Sequence, residues 1–279
     1  MEVHRVPRAD EFLRLTERFR DAEPVLTNVI GSVALSVANA TRTYDDEFWW
    51  VVTNDSVVVG AAMRTPPHGL MLAPCINGAS ALLATAIYDV DADLPAVAGP
   101  RDAVEEFLLE WQQYVHPRSF EMTLLENIQT IHTLITPQVN GTSRLAHDAD
   151  REILRRWGRI FSVDAHLPHW SDDGLLLSLD EERLYVWEIN GSLVSMAGHA
   201  TPVTTSTSSV ARVGPVFTPH DQRGFGYAAG ITAAVTSKLM TDGHLVMLHT
   251  DAKNSTSNGV YGRLGYSIIG QNVRYECGE

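Results

Sequence analysis

Two segments of the chain that lie 136 residues apart share one pattern of residue types. The segment VVTNDSVVVGAAMRTPP, which begins at Val51, aligns with WEINGSLVSMAGHATPV, which begins at Trp187. In each, apolar runs flank a polar pair, Asn54-Asp55 or Asn190-Gly191, which predicts a β-hairpin. The same predicted order of elements surrounds both hairpins: helices, hairpin, strand, proline, helix, strand. We interpret this as an internal duplication, although shared turn chemistry alone could also produce two similar hairpins.

A duplication predicts two domains, and we place them at residues 1–135 and 136–279. The boundary falls between about Pro117 and Asp148, and the segment from Thr136-Pro137 to Thr142 is the expected linker. In the second half we expect a strand over Val210–Phe217, a helix over Gly226–Met240 and a strand over Leu245–His249. A short helix over Ser257–Leu264 follows and ends at a glycine.

The loop between the first of these strands and the long helix predicts an anion site. It contains Arg223-Gly224-Phe225-Gly226-Tyr227-Ala228, which opens the helix. A helix N-terminus carries unpaired N–H groups, and glycines let the backbone approach a phosphate. Neither a P-loop motif nor a dinucleotide-binding motif fits the spacing. A tight turn without a ligand is the alternative interpretation of the two glycines.

A second motif, Asp251 to Tyr266, makes the sequence similar to the GNAT superfamily of acetyltransferases. The first family signature, [Q/R]-x-x-G-x-[G/A], is matched by Arg223, Gly226 and Ala228. The second is an Asn, a short helix with a Tyr, and an apolar-Gly-aromatic ending; it is matched by Asn254, Ser257, Asn258, Tyr261, Leu264, Gly265 and Tyr266. The resemblance covers about Arg144 to Cys277. It implies an α/β (α+β) fold of two GNAT-like domains, each a mixed, mostly antiparallel sheet flanked by helices.

The resemblance also implies that the second half binds acetyl-CoA (coenzyme A). Backbone groups of a splayed strand would hold the pantetheine arm, the glycine loop the pyrophosphate, and the asparagines the pantetheine or the adjacent backbone. The positions concerned are Val216, Phe217, Thr218, Gln222, Arg223, Gly224, Phe225, Gly226, Tyr227, Ala228, Asn254, Ser257 and Asn258. Asn254 and Asn258 are also good helix-start residues, so a purely structural role is the alternative.

Tyr261 matches the family tyrosine that protonates the leaving thiolate as general acid. An amine would attack the thioester directly, and a backbone N–H of the splayed strand could stabilise the oxyanion. The family's frequent Glu on that strand is missing, because Val210–Phe217 contains no carboxylate. Candidate bases are therefore His199, His249, Asp251 and Glu188, while His220 and Asp221 are expected to shape the turn. Trp170 and acids within Ser162–Asp173 could contact the acceptor.

The first half lacks both motifs. Aligning Met71–Pro74 with Val216–Pro219 places Cys75–Leu83 opposite the phosphate loop, and no Arg-Gly-x-Gly lies there. We expect a degenerate GNAT-like half without a cofactor site, which helps to form the acceptor cleft or a sheet-to-sheet interface.

Composition limits the kinds of partner that the protein is expected to bind. The formal net charge of −13 argues against general nucleic-acid binding and would favour a cationic acceptor, or else serve only solubility. Two distant cysteines, no signal peptide and no run of about 18 apolar residues predict a cytoplasmic protein without a membrane span. No metal is expected, and the protein is expected to be a monomer or homodimer.

The expected function is acetyl transfer to a primary amine on a small molecule or peptide. The alternative is an acyl-CoA-binding sensor or scaffold without turnover. The sequence leaves the amine open among polyamine, antibiotic, amino acid and protein N-terminus.

Overall fold

The computed structural model describes residues 1–115, 119–165 and 171–278. The elements up to Ile131 are β1 (Glu2–Val6), α1 (Ala9–Leu15), α2 (Glu17–Ala22), α3 (Asn28–Ala38), β2 (Phe48–Asn54), β3 (Val57–Arg64), β4 (Leu70–Leu72), α4 (Ala79–Tyr88), β5 (Ala96–Pro100), α5 (Arg101–Trp111) and β6 (Phe120–Ile131). Those that follow are β7 (Thr142–Leu145), α6 (Arg151–Asp164), α7 (Asp172–Asp180), β8 (Leu184–Ile189), β9 (Ser192–His199), β10 (Val203–Thr204), β11 (Ser209–Phe217), α8 (Tyr227–Thr241), β12 (Leu245–Asp251), α9 (Ser255–Leu264) and β13 (Tyr266–Cys277).

All strands belong to one sheet in the order β1-β2-β3-β4-β5-β13-β6-β12-β11-β9-β8-β7, with β10 pairing β11. Among the described strands, only β4–β5 and β11–β12 pair in parallel; the other pairs are antiparallel. The sheet is therefore mixed and mostly antiparallel, as the sequence predicts. The two halves of the sheet have the same internal order, which supports the duplication.

The last strand of each half lies in the sheet of the other half. β6 pairs with β12, and β13 pairs with β5. The two exchanged strands also pair with each other along most of their length at the centre of the sheet. The division at residues 135/136 remains a prediction about the chain, but the sheet itself is not divided there.

The hairpins show that the sequence alignment at an offset of 136 is out of register by one residue. Asn54 pairs with Val57, so the first turn consists of Asp55-Ser56 rather than Asn54-Asp55. Ile189 pairs with Ser192, so the second turn is Asn190-Gly191, which gives a structural offset of 135. Both residues of each turn have positive φ, as a type I′ turn requires. Because strand side chains alternate, a one-residue shift would exchange the two faces of every paired strand.

Helices cover both faces of the sheet. Leu125 packs with the α4–α5 core and Ile131, on the same strand, with the α8 core, so these helices share one face. Helices α1, α3, α6 and α7 pack on the opposite face, which we call the front face. At its centre Ile128, Val210 and Met247 pack beneath Val25 and Leu26, so the first half covers strands of the second. No helix within the described residues is long and apolar enough to cross a membrane.

Candidate active site

Strands β11 and β12 pair at one end and then separate. Their parallel register covers Val210–Arg212 against Leu245–Met247. Beyond this point β12 pairs with β6, and β11 pairs with β9. In the described part of the chain, no strand therefore pairs with the edge of β11 that faces β12 from Val213 to Phe217. An extended ligand can bond to free backbone groups at such an edge, as an added strand does.

The residues predicted for the pantetheine arm lie at this open edge. The aromatic ring of Phe217 packs against Trp157, with ring centroids 6.1 Å apart. The Ser195 hydroxyl donates to the Phe217 carbonyl at 2.9 Å and lies 2.8 Å from the Thr218 hydroxyl. Val216 is partly buried beside them. These contacts fix the end of β11, so the opening between β11 and β12 is preformed.

The loop that follows β11 delivers the N-terminus of α8. Residues His220–Gln222 form a single 3₁₀ turn, and Gly226 precedes the helix with φ of +85°. The positive φ favours glycine at position 226, and a Cβ atom there would also make a tight 3.2 Å contact with a Val139 methyl group. The first turn of α8 contains no acidic residue. The unpaired N–H groups and the helix dipole therefore favour an anion at this position.

Arg223 acts as a brace for this loop. Its Nε donates to the Thr218 carbonyl at 3.0 Å, and its Nη2 donates to the Asp164 carboxylate at 2.7 Å. The charge expected beside the phosphate site is thus paired with a carboxylate at the end of α6. Gln222 donates to Asp221, which shapes the turn as expected. Phe225 is 64% exposed and stacks on Tyr227, with Ala228 partly buried in the next position.

The two asparagines of the second motif bond to neighbouring protein groups in this structure. The Asn254 side chain caps the helix by accepting from the Ser257 N–H at 3.0 Å. The Asn258 carbonyl oxygen accepts from Thr250 at 2.6 Å and from Gln129 at 3.1 Å, and its amide donates to the Asp251 carbonyl at 3.0 Å. Of the two roles predicted for these asparagines, the structure shows the bonds to adjacent protein groups.

Tyr261 lies on the face of α9 that packs on the core beside β12. Its ring meets the Tyr266 ring edge to face, with centroids 6.0 Å apart. Burial raises the pKa of Tyr261 to about 12, so the phenol stays protonated at neutral pH. Within the described residues its hydroxyl has no hydrogen-bond partner. A protonated, uncommitted phenol is suited to donate a proton.

Each of the four predicted bases has either an internal hydrogen-bond partner or a lowered pKa. Glu188 accepts from Arg144 at 2.9 Å, and Asp251 accepts from the Lys253 N–H at 2.8 Å. Burial lowers the pKa of His199, whose Nδ1 lies 2.9 Å from the Ala200 carbonyl. Burial and then the Arg212 charge lower the pKa of His249 to about 3, so it stays neutral.

His220 lies in the 3₁₀ turn that precedes the glycine loop. His220 lies 3.3 Å from the Asp164 carboxylate, beside the brace that Arg223 forms. Its role in shaping the turn remains a prediction. Trp170 lies outside the described residues.

Glu126 is the candidate base that the sequence did not indicate. It lies on β6 opposite Asp251, and its carboxylate is 3.9 Å from His249 Nδ1. Burial raises the pKa of Glu126, and the nearby Arg212 charge opposes this shift. A carboxylate with a raised pKa is a candidate general base. Only the exchange of β6 into the second half brings it there, and linear sequence gives no signal of that exchange.

In the first half, a carboxylate of the protein occupies the helix N-terminus that corresponds to the predicted phosphate site. Helix α4 also begins after a glycine with φ of +85°, Gly78. The Glu106 carboxylate accepts from the N–H groups of Gly78 at 2.7 Å and Ser80 at 3.1 Å. An internal anion thus occupies this helix N-terminus, which supports the prediction of one cofactor site per chain.

Comparisons with known proteins agree with this geometry. Residues 203–275, which contain both motifs, match the FR47-like protein family. A GNAT-family acetyltransferase from Colwellia psychrerythraea is similar over 100% of both chains, with a TM-score of 0.66 and 11% identity. A GCN5-related N-acetyltransferase from Sphaerobacter thermophilus is similar over 98% of this chain and 94% of its own, with a TM-score of 0.61 and 14% identity.

A tandem GNAT protein from the clavulanic acid biosynthesis pathway is similar over 98% of both chains, with a TM-score of 0.57 and 12% identity. The search of curated proteins finds no matching sequence. The chain therefore has the fold of the tandem GNAT proteins, as predicted, and residues 203–275 resemble the FR47-like protein family.

Proposed function

We propose that the protein is an N-acetyltransferase that moves the acetyl group of acetyl-CoA to a primary amine. The observation that carries this proposal is the separation of β11 from β12 directly below a glycine loop and a helix N-terminus. An extended pantetheine arm fits the open strand edge, and a pyrophosphate fits the free N–H groups. Glycine at position 226 keeps the backbone free of a Cβ atom at this point.

When bound there, acetyl-CoA would supply an acetyl thioester as the activated group. Gly224, Phe225, Gly226 and Tyr227 would present backbone N–H groups to its phosphates. The edge of β11 from Val216 to Thr218 would align the arm. The N-terminal half would not bind a second molecule, because Glu106 already occupies its helix end.

Two side chains would manage the protons. Glu126, whose pKa burial raises, would take the proton from the attacking amine. Tyr261, protonated at neutral pH, would give its proton to the sulfur that leaves. The two groups lie on opposite faces of β12: His249, beside Glu126, faces the front, whereas Leu248, in the Tyr261 core, faces the back. The amine would therefore lose its proton on the front side of β12, and the leaving thiolate would gain one on the back side.

The test is a thiol-release assay with acetyl-CoA and a panel of a polyamine, an aminoglycoside, amino acids and a peptide with a free N-terminus. Release of free CoA that depends on one class of amine is the expected result. CoA binding in calorimetry without amine-dependent release by any of them would refute transfer and favour an acyl-CoA sensor. Acetyl-CoA without protein and without amine gives the background hydrolysis.

A further inference from the structure

A cavity of about 260 Å³ opens on the front face of the first half, between α3 and strands β3 to β5. Its inner wall is apolar and includes Val33 of α3, Met71 of β4 and Ala98 of β5. Its rim is polar and includes Arg42, Tyr44 and Arg274. A cavity with an apolar base and a few polar groups on one side has the form of a small-molecule site.

The charge of the rim is positive. No Asp or Glu is among the described residues that line the cavity, whereas two arginines are. Arg274 donates from Nη2 to Glu276 at 2.9 Å, but its Nε is buried and has no hydrogen-bond partner among the described residues. A buried donor without a partner is costly, so a ligand acceptor at this atom would stabilise the site.

Arg42 supplies a second available cation. Among the described residues no carboxylate lies within ion-pair distance of it. Its guanidinium is 2.9 Å from the position that a Cβ atom would take at Gly174 of α7, so it reaches toward the second half. Arg274 shares its charge with Glu276, so Arg42 is the rim cation that has no carboxylate partner among the described residues, and such a guanidinium favours an anion.

The loop that borders the cavity is held in place before any ligand binds. Arg64 is buried, forms an ion pair with Asp91 and donates from Nε to the His68 carbonyl at 3.3 Å. The 65–69 loop that borders the cavity is thereby fixed to β3. A preformed wall lowers the cost of ordering on binding.

We propose that this cavity binds a small monocarboxylic acid with a compact apolar body. The carboxylate would bond to Arg42 and Arg274, and the body would lie on Val33, Met71 and Ala98. The volume suits a group of about the size of a phenyl ring with a short linker. The site is separate from the helix N-terminus that Glu106 fills, and it goes beyond the proposed transfer reaction because it needs no CoA.

Ligand-observed NMR on the full chain without CoA tests the proposal with phenylacetate, neutral phenylacetamide and inorganic phosphate. We expect phenylacetate to bind about tenfold or more tightly than phenylacetamide, because the amide cannot form charge-assisted bonds. We also expect it to bind more tightly than phosphate, which has no apolar body. Equal binding of acid and amide, tighter binding of phosphate, or no binding of phenylacetate would each overturn the assignment.

Substitutions at the rim and at the apolar base of the cavity test where phenylacetate binds. Arg42→Gln removes an exposed cation without an internal partner and should reduce phenylacetate affinity about tenfold, whereas Arg18→Gln, an exposed arginine on α2, should not change it. Ala98→Val should also weaken binding by narrowing the apolar base. Unchanged affinity in both Arg42→Gln and Ala98→Val would refute the location.

Discussion

The side chain of Asn28 joins the two halves of the protein at Arg212, where β11 and β12 begin to separate. Asn28 Oδ1 accepts from Arg212 Nη1 at 3.2 Å, and Asn28 Nδ2 donates to the Val210 carbonyl at 3.3 Å. Asn28 lies on α3 of the first half and is 1% exposed. The first half of the chain therefore holds the strand that the proposed cofactor site depends on.

Replacing Asn28 by Ala should destabilise the whole chain. The change removes the hydrogen bonds of Asn28 to Arg212 Nη1 and to the Val210 carbonyl, which costs about 1–3 kcal/mol. The measurement is the free energy of unfolding in urea at pH 7. Asn39→Ala, at the exposed end of the same helix, should stay within about 0.5 kcal/mol of wild type. Equal stability of the two variants would show that the bond to Arg212 contributes nothing.

Glu126→Gln should reduce kcat by about a hundredfold or more, because glutamine cannot take a proton from the amine. The KM for acetyl-CoA should change little. Since burial raises the pKa of Glu126, the wild-type rate should fall on the acid side at a pH above the ordinary Glu value of 4.5. The measurement is kcat against pH in the thiol-release assay.

Glu121→Gln is the matched control for this experiment, since Glu121 is an exposed residue on the same strand. It should keep both the rate and the pH profile. If kcat of Glu126→Gln still falls at low pH as it does in the wild type, another group is the base.

The sequence predicts the two hairpins and the motif helices of this fold better than the central strands of the sheet. The hairpins β2–β3 and β8–β9 show clear apolar runs and turn residues, and the motif helices α8 and α9 have their predicted places. Strands β6 and β13 were not predicted, because they carry buried polar residues such as Asn127, Gln129 and Asn272. A strand that pairs on both sides and bears polar side chains lacks the alternation from which strands are predicted.

The limited reach of local sequence patterns also explains why the sequence indicated Tyr261 but not Glu126. Tyr261 and the glycine loop are local motifs, so the sequence indicated them directly. Glu126 lies in the other half of the duplication, and its place beside His249 depends on the exchange of two strands. Local patterns carry no information about such an exchange, so the candidate base appears only in the structure.

Arg223→Glu should weaken CoA binding about tenfold or more in calorimetry. It breaks the bond to the Thr218 carbonyl and puts a second carboxylate beside Asp164, next to a site that favours an anion. Arg156→Glu makes the same charge change at an exposed position of α6 and should bind normally. Asp164→Asn should have a smaller effect, because it loosens the brace without adding negative charge. Equal affinity of Arg223→Glu and wild type would contradict the role of the brace.

Tyr261→Phe should lower kcat by about a hundredfold without raising the KM for acetyl-CoA, because only the acid is lost. With a pKa of about 12, Tyr261 should not cause a loss of rate at moderately alkaline pH. The control is Tyr266→Phe, which removes a 2.6 Å hydrogen bond to Thr236 in the core. Tyr266→Phe should lower the free energy of unfolding by about 1 kcal/mol and leave kcat unchanged. A Tyr261→Phe enzyme with full kcat would exclude the tyrosine as acid.

Asp21 should make the junction between the halves sensitive to acid. Its carboxylate, on α2, accepts from the hydroxyl groups of Thr205, Ser206 and Thr207 in the second half. These bonds lower the pKa of Asp21 to about 2, below its ordinary value of 3.8. Because the folded-state value is the lower one, the stabilisation is complete above about 4 and is lost as the pH falls through about 2.

Asp21→Asn should therefore lower the melting temperature at pH 7, and the difference from wild type should shrink as the pH is reduced from 5 to 3. Thermal unfolding at pH 7, 5, 4 and 3 measures this. Asp46→Asn, which removes an exposed carboxylate from a loop, should follow wild type at every pH. A difference between Asp21→Asn and wild type that stays constant down to pH 3 would show that the ionised carboxylate does not fasten the two halves together.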